Sequence, residues 1–122
     1  MAEHNLFGQM AENEAARFLI AKNYKILERN WRFHKAEIDI IAIDPQTNQI
    51  VIAEVKARNI NPLLEPEMAV NSKKRKLLIS AANEYIVSNE IDLDCRFDII
   101  SIERKGEKWE IDHIENAFFS FE

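Results

Sequence analysis

Three carboxylates and a lysine stand inside two runs that otherwise read as β-strand, Ala36-Glu37-Ile38-Asp39-Ile40-Ile41 and Ile50-Val51-Ile52-Ala53-Glu54-Val55-Lys56. An ionised acid in an apolar strand costs free energy unless a partner offsets it. Between the runs, Asp44-Pro45-Gln46-Thr47-Asn48-Gln49 is turn chemistry. Folded as an antiparallel hairpin about that turn, Ile43 faces Ile50, Asp39 faces Glu54 and Glu37 faces Lys56. Alternation then places residues 37, 39 and 41 on one face with 52, 54 and 56. Directly opposed residues have Cβ atoms about 5 Å apart. Two carboxylates that close repel unless a cation or a proton intervenes. A hard divalent ion is the natural occupant.

Metal-assisted phosphodiester hydrolysis needs such a set. Asp39 and Glu54, with the Val55 carbonyl, are placed to hold Mg2+ (or Mn2+) against a phosphate oxygen, where the ion acidifies a water. Lys56, two residues past Glu54, shares its face and could orient that water or stabilise developing charge. Glu12 could add a ligand or help a second ion. Lys74, Arg58 and Arg32 are candidate phosphate contacts. Each has a plainer alternative. The strand acids could be satisfied by Arg or Lys, and Lys56 could form a salt bridge with Glu37 or Glu54. Glu12 could be a partly exposed helix acid, and Lys74 a lysine snorkelling at a helix edge. Asp98 shares a strand face with Arg96 and reads as structural. His4, His34 and His113 lack shared spacing and cysteine partners, so they are not expected to be ligands. Trp31 is expected to pack rather than to stack on a base.

These residues must be held by a scaffold. Residues 9–22 read as a helix with an apolar stripe of Ala11, Ala15, Phe18 and Leu19, ended by a left-handed Asn23. Glu12 flanks that stripe, facing the core edge, while Glu14 and Arg17 form an outer pair. Strands follow at 24–32, 37–43 and 50–57. Residues 59–67, with Pro62 and Pro66, form a loop able to act as a flap. Asn71 or Ser72 then caps a helix to about Ser88, with Lys74 bordering its buried stripe. Strands at 96–102 and 108–114 are joined at Lys105-Gly106. The aromatic tail Ala117-Phe118-Phe119-Ser120-Phe121 is expected to seal a sheet edge, with a homodimer contact as the alternative. The order α-β-β-β-α-β-β lacks a regular βαβ repeat and predicts a mixed α/β (α+β) sheet flanked by helices.

At 122 residues the chain is expected to fold as one domain, 1–122. No apolar run is long enough to span a bilayer, and the first residues lack a signal-peptide pattern. A single cysteine, Cys95, excludes an internal disulfide and a cysteine zinc site. A cytoplasmic setting is expected. The net charge of −5 argues mildly against a nucleic-acid binder. Basic residues cluster, however, at Lys22, Lys25, Arg29, Arg32 and Lys35 and again at Lys73-Lys74-Arg75-Lys76. Such a local face can hold phosphates, although either run alone is ordinarily a solvated surface.

The combination Asp39 then Glu54-Val55-Lys56 resembles the PD-(D/E)xK nuclease superfamily, with Ile38 in place of the proline of its name. More specifically, the chain is similar from Gly8 to Phe118 to the bacterial YraN family of small nuclease-like proteins. The likeness rests on Gly8, Ala11-Glu12 and Ala15-Ala16, on Tyr24-Lys25-Ile26-Leu27 and Asn30-Trp31-Arg32, and on Ala36 through Ala42. It continues through Glu54-Val55-Lys56-Ala57-Arg58, Ala69-Val70 with Lys74, Arg96-Phe97-Asp98, His113-Ile114 and Ala117-Phe118. Ala11, Ala36 and Leu64 stand where that family usually has glycine. The resemblance implies a restriction-endonuclease-like fold. It also implies nucleic-acid binding and cleavage, with DNA of branched or structured form as the expected substrate. A binding module of the same fold without catalysis is the alternative.

Overall fold

Alanines at 11, 15 and 16 determine how closely the first helix can lie on a sheet, because each adds only a methyl group to the contact. In the computed structural model, which describes residues 6–58 and 71–119, all three are buried. Helix α1 (Leu6–Ala21) packs them with Leu19 against one sheet face. Just past its end stands Asn23, whose φ of 69° is left-handed as expected. Helix α2 (Ser72–Ser88) covers the other face with Leu78, Ala81, Ala82 and Tyr85. Asn71 caps it, its side-chain oxygen accepting the Lys74 N–H at 2.9 Å.

Between the helices lie β1 (Lys25–Phe33), β2 (Ala36–Asp44), β3 (Gln49–Arg58), β4 (Cys95–Lys105) and β5 (Lys108–Phe118), in that spatial order. Pairing is antiparallel except between β3 and β4, which are parallel and joined through α2. This is an α+β mixed sheet in the expected order. Every β3 and β4 residue from Ile50 to Ala53 and from Phe97 to Ile102 is buried, as required of central strands covered on both faces.

The hairpin register is also as expected: Ile43 pairs with Ile50 and Ile41 with Ile52. Several boundaries differ. β4 and β5 extend beyond the expected 96–102 and 108–114, so Ala117 and Phe118 belong to β5. Phe118 lies on β5, the outer strand beside β4, opposite Phe97. It is buried, with its ring stacked 5.0 Å from that of Phe97 in the α2-side core. Trp31 packs as expected, 5.1 Å edge-on to Tyr85. The loop expected at 59–67, Leu64, Ala69, Val70 and the last residues of the tail lie outside the described residues. No described helix is long and apolar enough to cross a membrane.

Candidate active site

The site forms where the regular pleat of the sheet breaks. Asn30 has a φ of 54°, a left-handed conformation that Asn tolerates better than most residues. Pairing of β1 with β2 runs to Arg29↔Ile40 and resumes at Trp31↔Ile38, leaving Asn30 and Asp39 out of the ladder. The side chains change phase there. Arg29 and Asn30, adjacent in sequence, both reach Glu12 on α1, whereas Trp31 packs on the α2 side. In β2, Ile38 and Ile41 enter the same α2-side cluster although they are three residues apart. A regular strand would point them to opposite faces. The common face expected for residues 37, 39 and 41 therefore does not form.

The β2–β3 ladder ends at Ile40↔Ala53, one step short of Asp39 and Glu54. In place of a next rung, the Val55 N–H donates to Asp39 Oδ2 at 2.8 Å. β3 keeps strict alternation, so Glu54 follows Ile50 and Ile52 onto the α2 face, where it is only 4% exposed. Its Oε2 meets Lys74 Nζ at 2.5 Å and Lys56 Nζ at 3.6 Å. Its other oxygen, Oε1, is buried without a hydrogen-bond partner among the described residues. A buried carboxylate oxygen left unpaired is costly and points to a ligand.

The electrostatics agree with that crowding. Burial pushes the Asp39 carboxyl well above the ordinary carboxylate range. The charges of Glu54 and Glu12 add to the rise, against the Val55 N–H and Lys74. Burial lowers the Lys56 ammonium, with Glu54 opposing and Lys74 reinforcing the fall. Burial also works against charge on Lys74, but the Glu54 carboxylate outweighs it and holds that ammonium above its ordinary value. Two acids and two lysines thus share one partly desolvated spot.

The remaining predicted residues are placed around this core. Glu12 is 7% exposed, and its Oε1 accepts from Arg29 Nη2 at 3.1 Å and Asn30 Nδ2 at 2.8 Å. Glu37 lies opposite Arg32 in β1 and pairs with it at 3.6 Å, in place of the expected Lys56. Lys56 takes the Glu54 alternative. Arg58 ends β3 on the face of Glu54 and Lys56, in register with Glu103. Among the described residues no three His, Cys, Asp or Glu groups converge as a ready-made metal cluster. The fit to Mg2+ rests instead on Asp39 and the unpaired oxygen of Glu54, since Mg2+ commonly takes one or two carboxylates and keeps several waters.

Two clefts adjoin the site. One of about 500 Å3 is lined by residues of α1 and β1 with Glu37. A smaller one, about 250 Å3, lies between Lys35, Glu37 and the start of α2 at Lys73 and Lys74.

A second polar cluster was not foreseen beyond its Arg96–Asp98 pair. Arg96, 2% exposed, donates through Nε and Nη2 to both Asp98 oxygens at 2.9 Å. It also reaches Asp44 Oδ2 at 2.7 Å and the Tyr24 hydroxyl at 2.8 Å. His113 Nε2 lies 2.7 Å from Asp98 Oδ2. The available signal was an arginine at the start of an otherwise apolar strand, which must find acids somewhere.

Residues 11–102 match the model described as Uncharacterised protein family UPF0102. A UPF0102 protein of Flavobacterium psychrophilum is 46% identical, covering 99% of this chain and all of the relative. One of Flavobacterium johnsoniae is 44% identical over 99% of this chain and the whole of its own length. One of Bacteroides thetaiotaomicron is 41% identical, covering 98% and 97% respectively.

Proposed function

The chain belongs to protein family UPF0102, and we propose that it is a Mg2+-dependent endonuclease hydrolysing phosphodiester bonds in DNA, on a site made by Asp39, Glu54 and Lys56. The observation that carries this reading is the buried Oε1 of Glu54, without a hydrogen-bond partner among the described residues, beside an Asp39 carboxyl crowded by like charge. The element order and the spacing of Asp39 and Glu54-Val55-Lys56 support it through the likeness to PD-(D/E)xK and YraN-type proteins.

Asp39, Glu54 and the Val55 carbonyl would hold the ion, and a bound divalent cation supplies an acidified water and offsets phosphate charge. The chain's own groups do the rest. Lys56, with its ammonium pushed down by burial, can exchange a proton with the attacking water or donate to the phosphate. Lys74 is held at the site by a capped helix turn, ready to pair with a phosphate oxygen once Glu54 is otherwise engaged. No acid occupies the first turn of α2, where Lys73, Lys74 and Arg75 stand. Cations at a helix N-terminus oppose the macrodipole, an arrangement that an anionic ligand relieves. Glu12 holds Arg29 and Asn30 and so fixes the bend that sets Asp39 apart.

Calorimetric titration of Mg2+ and Mn2+ into wild type and Asp39→Ala/Glu54→Ala tests the site. Cleavage of labelled linear and branched DNA tests the activity. Metal binding and cleavage should both vanish in the variant while its circular dichroism is unchanged. Cleavage surviving in purified Asp39→Ala would overturn the assignment. One observation favours a non-catalytic binding module instead: Lys74 and Lys56 already neutralise Glu54. That reading predicts salt-dependent DNA binding with no metal-dependent product.

A further inference from the structure

The two clefts that meet at Glu37 differ in chemistry. The smaller presents Lys35 and Lys73 together with Lys74, whose ammonium pairs with Glu54 until a ligand takes its place, groups suited to a phosphate backbone. The larger presents almost no unopposed positive charge. Its Arg29 is engaged by Glu12 and Asn13, and its Arg32 faces Glu37. Its remaining wall is made of the amides of Gln9, Asn13 and Asn30.

A duplex backbone gains little from such a wall, because two carboxylates there repel phosphates. A nucleobase gains much, because planar amides, guanidinium groups and carboxylates are the groups that pair with base edges. The volume, about 500 Å3, falls in the range of small-ligand sites. The cleft also lies near the hydrolytic centre, since Glu12 lines it and its charge acts on Asp39.

We propose that this cleft is a subsite for one unpaired nucleotide next to the scissile phosphate, the flanking backbone lying along the lysines of the smaller cleft. The substrate class is therefore DNA with an unstacked base at the cleavage point, such as a bulge, gap or flap, rather than continuous duplex. This rests on the hydrolase reading above and narrows it.

Fluorescence anisotropy with Ca2+ replacing Mg2+ tests the proposal on a blunt duplex and on the same duplex with a bulged nucleotide. Wild type is compared with Gln9→Ala/Asn13→Ala, two exposed helix positions whose loss spares the core. Wild type should prefer the bulged DNA by about tenfold, the scale of one good base-edge pair. The variant should fall to the duplex level with its Mg2+ affinity, by calorimetry, unchanged. Equal wild-type affinity for both DNAs, or a preference that survives in the variant, overturns the base subsite and leaves the hydrolase reading standing. Wild type that binds neither DNA nor Mg2+ overturns both.

Discussion

Replacing Asp39 by Asn should make the protein more stable in the absence of metal. The amide has the same shape, and its oxygen can still accept the Val55 N–H that now donates at 2.8 Å. Only the charge is lost, at a spot where burial, Glu54 and Glu12 all oppose it and the Val55 N–H and Lys74 favour it. Relaxing a strained functional site of this kind typically recovers about 1–2 kcal/mol. For 122 residues each kcal/mol moves Tm by about 3–6 °C, so the expected gain is about 3–12 °C. Mg2+ should act in the opposite sense. At ten times its Kd, mass action adds about 1.4 kcal/mol to the wild type and nothing to a variant that cannot bind it. Differential scanning fluorimetry with EDTA and then with Mg2+ reads both terms, and the gap between the two proteins should narrow or close on adding metal. An Asp39→Asn protein less stable than wild type in EDTA would refute the reasoning. So would an equal Mg2+ shift in both.

Three further outcomes follow from the same geometry. Arg96→Met leaves Asp44 and Asp98 buried without their cation and should cost about 3–5 kcal/mol, read from urea unfolding. Burial works against the Asp44 carboxylate, but Arg96, the Gln46 N–H and the Tyr24 hydroxyl overcome it and hold its pKa at about 2. A depressed pKa contributes stability above the ordinary value near 3.8 that is lost as pH falls through about 2. Circular dichroism of urea unfolding between pH 4 and 2 should therefore show a loss of about 2 kcal/mol from this group. Lys74→Met removes the nearest cation from Glu54 and should tighten Mg2+ binding by about tenfold while weakening DNA binding, by calorimetry and anisotropy.

The parts of the fold written in local pattern were legible in the sequence. Turn chemistry at residues 44–49 set the hairpin register, and the helical stripes placed Glu12 and Lys74 at buried edges, where both are found. What failed was extrapolation of a period of two through Asn30 and Asp39. Nothing in Glu-Arg-Asn-Trp-Arg distinguishes an asparagine that bends a strand from one that simply points to solvent. The pairing of Glu37 with Arg32 rather than Lys56 follows from that bend. The Arg96 cluster was out of reach for another reason: Tyr24, Asp44 and His113 come from 72, 52 and 17 positions away along the chain. Only the arginine and Asp98 share a strand.

The bend at Asn30 divides the β1–β2 ribbon into two halves of opposite parity. The half towards the His34-Lys35 tip contributes Trp31, Phe33, Ala36 and Ile38 to one core, while Arg29 and Ile40 below the bend look to the other. Changes of length at the tip leave the phase of the carboxylates untouched, because both strands lengthen together above the bend. Inserting one residue between Asp39 and Ile43 would instead displace Asp39 from its bond to Val55. Glu54, held in the unbroken alternation of β3, would remain where it is. The ribbon thus tolerates variation at its exposed end and forbids it at the bend.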